Sequence, residues 1–196
     1  MLITLTGTSP LIMHNSQLAD PDNFYVREIA KLINKKTDQT EDDRKAKYRL
    51  QFAGGLYYDE DAGPYLPGPN LIRSLRNAAN LVFKNRGGKQ IERGFALLSQ
   101  SAPLEYKGPR DVDSLWGTGD PDKNKFIDRR IAKVGSGKMP VCRPYFPEWA
   151  ATFEFELDGN EIDEDMFRQY AVKAGKVEGI GDARRLGYGR YAVEIA

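Results

Sequence analysis

Residues 2–8 alternate, Leu2, Thr4 and Thr6 against Ile3 and Leu5, which is the period of two expected of a strand with one covered face. Ser9-Pro10 interrupts that strand, and Leu11-Ile12-Met13 continues it as an apolar run. Residues 14–23 read as an ordered loop. A short helix is expected over 24–33, with Tyr25, Ile29, Leu32 and Ile33 on one face. The polar, charged segment 34–43 reads as a mobile insertion. A second helix over 41–52 places Tyr48 and Phe52 four residues apart and ends at Gly54-Gly55.

The clearest helical period begins at Asn70, where Leu71, Ile72, Leu75, Ala78, Ala79 and Val82 share one face. Arg73, Arg76, Asn77 and Asn80 lie on the other, and Gly87-Gly88 is expected to stop the helix. It is preceded by a short strand at 56–58 and followed by a predicted helix over 90–98 and a strand over 103–106. Residues 107–119 read as a loop holding Trp116. Residues 126–134 and 139–145 flank Gly135-Ser136-Gly137 as the arms of a β-hairpin, and Pro140, Pro144 and Pro147 point to an edge or protruding second arm. Residues 149–157 alternate cleanly, Trp149, Ala151, Phe153, Phe155 and Leu157 against Thr152, Glu154 and Glu156. Asp163 is placed to cap a helix reaching Ala174, and a final strand spans 188–195.

The strongest of these elements follow the order strand, helix, strand, strand, helix, strand. That order predicts an α+β fold: a ferredoxin-like (RRM-like) antiparallel sheet with helices on one face. The chain then reads as one domain over 1–196, decorated by a helical insertion over 15–53 and a basic hairpin insertion over 107–147.

Composition narrows the chemistry. One histidine and one cysteine among 196 residues exclude an internal disulfide and leave no cysteine- or histidine-based metal site, and no cofactor is expected. The first residues lack a basic region followed by a long apolar run, so a cytoplasmic, unprocessed chain with no membrane partner is expected. The net charge is only +1, but it is segregated. From 125 to 145, Lys125, Arg129, Arg130, Lys133, Lys138 and Arg143 face the single acid Asp128. From 153 to 165, Glu154, Glu156, Asp158, Glu161, Asp163, Glu164 and Asp165 stand without a base. A bipolar surface follows, one side able to hold phosphates.

Near the C-terminus, Gly179-Ile180-Gly181-Asp182-Ala183-Arg184-Arg185-Leu186-Gly187-Tyr188-Gly189-Arg190 interleaves glycines with arginines. Glycines this close allow left-handed backbone and turn N–H groups toward a polyanion, while arginine supplies forked donors for phosphate. Gly-x-Gly-x-x-Gly and Gly-Lys-Ser/Thr are both missing, which argues against a nucleotide cofactor.

Pro64-Tyr65-Leu66-Pro67-Gly68-Pro69-Asn70-Leu71-Ile72-Arg73-Ser74-Leu75-Arg76 resembles the segment that opens the first core helix of the RAMP superfamily of CRISPR-associated proteins, most closely the backbone subunits of Class 1 effector complexes. The glycine-rich run is similar to their C-terminal loop, and residues 2–13 look like their first strand and following loop. Where the family has Ser-Ser-Leu-Lys-Gly, this chain has Pro69-Asn70-Leu71-Ile72-Arg73. A stand-alone relative carried by a phage or mobile element fits the resemblance as well.

The resemblance implies an RNA-binding protein in which loop and first helix grip the strand and a projecting hairpin separates bases. Arg73 and Arg76 match the helix; Gly181, Arg184, Arg185, Gly187, Tyr188 and Arg190 match the loop. From their own charge pattern, Arg129, Arg130, Lys133, Lys138 and Arg143 form the basic hairpin, and Tyr145, Phe146 or Trp116 either stack on bases or belong to the core. Catalytic candidates are few: His14, where related endoribonucleases keep a general base, and Asp20 and Asp22, where target-cleaving subunits carry an acid. The favoured expectation is a non-catalytic binder of single-stranded RNA or DNA that assembles with copies of itself or other subunits along the strand. The alternatives are a His14-dependent RNA endonuclease and a phage or mobile-element adaptor that binds no nucleic acid.

Overall fold

The structure, a computed structural model, describes every residue except 36–38, 85 and 135–136, together with the backbone but not the side chains of 133–134. The centre of the predicted polar insertion and the tip of the predicted hairpin therefore lie outside the described residues. The fold is α+β with antiparallel sheets.

The main sheet runs in the order β10-β1-β9-β5, formed by Tyr191–Ile195 (β10), Leu2–Gly7 (β1), Ala150–Leu157 (β9) and Phe95–Leu97 (β5). Every neighbouring pair is antiparallel. The register puts Ile3 opposite Phe153 and Ile195, and Leu5 opposite Ala151 and Val193. One face is therefore continuously apolar, as the period-two pattern requires. Helices α3 (Gly68–Val82) and α6 (Glu164–Lys173) cover it with Leu71, Leu75, Ala78 and Ala79 and with Phe167, Tyr170 and Ala171, all fully buried. The Phe167 ring stacks on Phe95 at 5.3 Å and lies 5.0 Å from Phe155. The buried Ser74 and Tyr191 hydroxyls meet at 2.9 Å, tying α3 to β10. The opposite face is uncovered and carries Thr4, Thr152, Glu154, Glu156 and Glu194, with Thr4 and Thr152 hydrogen-bonded at 3.0 Å.

The two insertions pack on each other. Residues 15–53 supply a 3-10 turn (Ser16–Ala19), α1 (Phe24–Ile33) and most of α2 (Glu41–Gly55), the last opened by a capping box of Thr40 and Asp43. Residues 107–147 supply α5 (Val112–Trp116) and the long arms β7 (Ile127–Val134) and β8 (Gly137–Phe146). The Gln51 side-chain carbonyl accepts the Cys142 N–H at 3.1 Å, Phe52 packs on Trp116 at 5.3 Å, and Arg49 pairs with Asp113. A small sheet of β3 (Tyr58–Asp59), β4 (Gly63–Pro67) and β6 (Ser101–Pro103) leads into α3.

Several expectations need correction. The predicted helix over 90–98 ends early: α4 spans Gly87–Gly94 and residues 95–97 are strand, because β9 offers an edge opposite Phe95. The loop 107–119 contains α5, capped by the Asp111 carboxylate on the Ser114 N–H at 2.8 Å. The second hairpin arm is an edge only in part: Tyr145 and Phe146 at the end of β8 pair with β2 (Leu11–Ile12), whereas the stretch with Pro140 pairs with β7 alone. Pro144 is tolerated there because it needs only to accept, its carbonyl taking the Met13 N–H at 3.0 Å. The last strand starts at Tyr191 because residues 188–190 belong to the preceding loop. Phe146 is fully buried and belongs to the core, while Tyr145 is half-buried with its ring 6.4 Å from that of Tyr188.

Among the described residues no helix is long and apolar enough to cross a membrane. Removing the Phe153 ring from between the sheet and its helices is expected to lower unfolding free energy by about 3–5 kcal/mol in urea titrations of Phe153→Ala. On the uncovered face, Glu154→Gln is expected to change it by less than about 0.5 kcal/mol.

Candidate functional site

After α6 the chain makes a π-helical turn (Ala174–Glu178) and enters the glycine-rich loop. Five of its residues are left-handed: Gly179 (φ 68°), Gly181 (φ 79°), Ala183 (φ 54°), Gly187 (φ 91°) and Gly189 (φ 66°). Two of the glycines are also demanded by close approach. A Cβ on Gly189 would lie 1.8 Å from the Ile180 carbonyl oxygen, and one on Gly181 2.5 Å from that of Ile12. The loop is laced to the first strands: Asp182 N–H donates to Ile12 O at 2.8 Å, Gly189 N–H to Pro10 O at 2.8 Å, and Arg190 N–H to Ser9 Oγ at 2.8 Å. Within the loop, Ile180 N–H donates to Gly189 O at 2.9 Å and Gly187 N–H to Arg184 O at 3.0 Å. These glycines therefore serve chiefly to fold the loop against β2, with most of its N–H groups engaged by the chain itself. What the loop presents is side chains.

Those side chains form one wall of a groove of about 900 Å³. Arg184, Arg185 and Arg190 come from the loop; Asn70, Arg73 and Asn77, one and two turns apart, come from the polar side of α3. His14 and Ser16, just after β2, and Tyr57, just after α2, complete it. Glu178 is the partly neutralising acid, accepting from Asn77 Nδ2 at 3.3 Å and lying 4.0 Å from Arg184. Arg190 gives one nitrogen to the Arg184 carbonyl at 3.0 Å, while its Nη1 is buried without a hydrogen-bond partner among the described residues. Arg73 and Arg185 are exposed and make no ion pair among the described residues.

Other predicted residues are engaged elsewhere. Arg143 is 7% exposed and clamped between two carboxylates, donating to Asp128 at 2.9 and 3.2 Å and to Asp182 at 2.7 Å. Arg130 pairs with the same Asp128, donates to the Tyr188 hydroxyl at 2.8 Å and lies 4.8 Å over its ring, so that face of Tyr188 is covered. Arg76 pairs with Glu92 at 3.0 Å, on the side of α3 that faces α4. Arg129 sits 5.4 Å over Tyr48 against α2, away from the groove, and Lys138 is exposed near the end of the hairpin. The Lys133 side chain lies outside the described residues. Asp20 and Asp22 are exposed in a turn where the Asp20 carboxylate accepts the Asp22 N–H at 2.9 Å. Gly181 lines the groove, whereas Gly187 stands open on the surface. Among the described residues no group of three or more His, Cys, Asp or Glu side chains is placed to hold a metal.

Asp182 carries the clearest electrostatic signature in the groove. Burial pushes its pKa up, but the Ala183 N–H at 2.7 Å, the Arg143 guanidinium and nearby His14 outweigh this and hold it below the ordinary value of 3.8. Burial pushes the Cys142 thiol up to about 12, so it stays protonated at neutral pH and offers no nucleophile.

Tyr57, Asn70, Asn77, Glu178 and Asp182 were not singled out as site residues by the sequence reading. Part of the signal was present, since the 70/73/77 spacing separates Arg73 from Arg76 on the helix. Asp128, the one acid in a basic run, was also the visible sign that some of those bases are paired. No family model matches the chain, and no curated protein matches its sequence.

Two measurements check the loop and its clamp. Gly187→Ala, with space around it, is expected to cost about 1–2 kcal/mol for the left-handed backbone alone. Gly189→Ala, which adds a backbone clash, is expected to cost about 3 kcal/mol or more, read as a larger fall in melting temperature. For Asp182 the folded pKa lies below the unfolded one, so its contribution is complete above the unfolded value and lost as pH falls through the folded value. The stability difference between wild type and Asp182→Asn is expected to be constant above about pH 5 and to shrink with acidification below that; a difference that grows on acidification would contradict the assignment.

Proposed function

We propose that the chain binds single-stranded nucleic acid, RNA in preference to DNA, by holding the sugar–phosphate backbone in the arginine-lined groove. The observation that carries this reading is the convergence of Arg73, Arg184, Arg185 and Arg190 on one cleft, with Ser16, Asn70 and Asn77 as neutral donors between them. Four guanidinium groups against Glu178 and an Asp182 already paired with Arg143 leave an excess of positive charge where phosphates would lie. The uncovered sheet face supports the same assignment from the other side. It is acidic and lacks the aromatic rings on which sheet-type RNA binders stack bases.

The finer fold belongs to this reading. The strand order β10-β1-β9-β5, with α3 following β1 and α6 joining β9 to β10, is the order of a ferredoxin-like split βαβ sheet. Kinship with the RAMP superfamily is supported by the meeting of the three resembling segments, the first strands, the start of α3 and the glycine-rich loop, at the groove. Under this reading, copies assemble head to tail along the strand, the acidic sheet face of one near the basic groove of the next, with a cytoplasmic location. The RNA preference comes from the resemblance.

His14 favours a second reading, because it is exposed and opens onto the same groove, where a general base for RNA cleavage would stand. Both are tested by fluorescence anisotropy of a labelled 30-mer of single-stranded RNA and its DNA counterpart at about 50 and 200 mM salt. Wild type is expected to bind RNA more tightly than DNA, with a steep salt dependence. The Arg184→Ala/Arg185→Ala variant is expected to lose about tenfold or more in affinity and about 1.4 in the log–log salt slope, two phosphate contacts' worth on a single strand. Absence of binding at low salt would leave the adaptor reading, and a double variant that binds as tightly as a binding wild type would overturn the loop arginines as the site. Cleavage of the RNA by wild type, abolished by His14→Ala with binding intact, would replace the binding-only reading with the endonuclease.

A further inference from the structure

One acid faces the arginine groove with its acceptors largely unused. Glu178 ends the π-helical turn after α6, and its side chain, 22% exposed, lines the groove. Its Oε2 takes one long hydrogen bond, from Asn77 Nδ2 at 3.3 Å, and lies 4.0 Å from the Arg184 guanidinium. Its Oε1 has no hydrogen-bond partner among the described residues. The next residue, Gly179, is left-handed, and a Cβ there would lie 2.8 Å from the Gly189 carbonyl oxygen, so the turn that carries Glu178 is seated closely on the loop. Asp182, the other acid of the groove, differs. Its two oxygens each take a short hydrogen bond, one from the Ala183 N–H at 2.7 Å and one from Arg143 at 2.7 Å. Asp182 is therefore committed to holding the loop, whereas Glu178 keeps acceptor capacity toward a ligand. A carboxylate only accepts hydrogen bonds. The phosphates of a strand also only accept, so they can offer Glu178 nothing but repulsion.

We propose that Glu178 accepts a hydrogen bond from a ribose 2′-hydroxyl of the bound strand and is the residue that makes the groove select RNA over DNA. The proposal rests on the nucleic-acid reading of the groove. Along the sugar–phosphate backbone the 2′-hydroxyl is the one group that donates a hydrogen bond, and a deoxyribose strand has none. In an RNA complex that hydroxyl meets the unmatched carboxylate oxygen, and its donation offsets the repulsion between Glu178 and the neighbouring phosphates. In a DNA complex the repulsion stands alone. Selectivity then comes from a penalty on the wrong strand as well as from a contact with the right one, and a site built around a hydroxyl rejects the analogue that lacks it. Arg73, Arg184, Arg185 and Arg190 cannot make the distinction, because the phosphates they would hold are the same in both strands. Asn77 on α3 and Arg184 in the loop flank the carboxylate, which gives its acceptors a set place among those cations.

The test uses one labelled single strand of fixed sequence made with three sugars: ribose, 2′-fluororibose and deoxyribose. The fluorinated sugar keeps the ribose pucker and loses the O–H donor, so it separates the hydrogen bond from strand shape. Affinities are measured at low salt for wild type, Glu178→Ala and Glu178→Gln, with folding judged by thermal melting. Glu178 is partly exposed and the Gln variant keeps its shape, so at least one folded variant is expected. Wild type is expected to bind the ribose strand about tenfold more tightly than either of the others, the worth of one hydrogen bond to a charged group. Glu178→Ala is expected to bring the three affinities within about twofold of one another. Both variants are expected to bind the deoxyribose strand more tightly than wild type does, because a repulsive charge is gone; a merely structural role for Glu178 would weaken every strand alike. Equal wild-type affinity for ribose and fluororibose strands overturns the assignment and leaves the groove standing. So does a folded Ala variant that keeps the wild-type ratio, or a folded variant of either kind that binds the deoxyribose strand no better than wild type. No binding of any strand by wild type at low salt overturns the groove reading and the assignment with it.

Discussion

Arg143, on β8, sits where three parts of the chain meet, and its pairing sets the geometry of the rest. Its guanidinium is buried between Asp128 on one hairpin arm and Asp182 in the glycine-rich loop, and Asp128 also holds Arg130, which in turn covers Tyr188. A buried arginine is tolerated only when its donors are matched, and here two carboxylates match them. Removing either partner would strand a charge in a low-dielectric place, a far larger penalty than losing a surface pair. The clamp therefore couples the hairpin to the loop more firmly than apolar contact alone would, and it fixes Asp182 at the edge of the arginine-lined groove.

Around that clamp the charge is divided by structural role. Of the arginines and lysines in the hairpin, Arg143 and Arg130 are occupied by acids and a phenol, and Arg129 lies over Tyr48 on the α2 side. The positive charge left facing the groove comes instead from α3 and the glycine-rich loop. The loop reaches that position because left-handed glycines let it lie backbone to backbone on β2 and on itself, with Arg184 partly and Arg185 fully exposed. Function is thus argued from a particular cleft, not from the sheet, whose open acidic face would repel the same ligand.

The insertions matter for the same reason. Neither packs as an isolated appendage. Helix α2 closes on β8 through Gln51 and on α5 through Phe52 and Trp116. Segments that read as decoration along the chain are, in three dimensions, packed against each other.

Periodicity alone was enough for β1, α3, β9 and α6, because each has a face buried against the same core and burial writes itself into local spacing. The left-handed turns of the C-terminal loop were also legible, since closely spaced glycines are what such backbone favours. β5 was not: three residues continuous with a helix become a strand only because β9 presents an edge to Phe95. Nor could the sequence sort its arginines. Arg143 and Asp182 are 39 positions apart, and Arg190 meets the groove while Arg129 turns to Tyr48. Hydrophobic pattern is a local record of which side faces the core. Ion pairing depends on separation in space, so only the tertiary structure could decide which cations are already matched and which remain for a ligand.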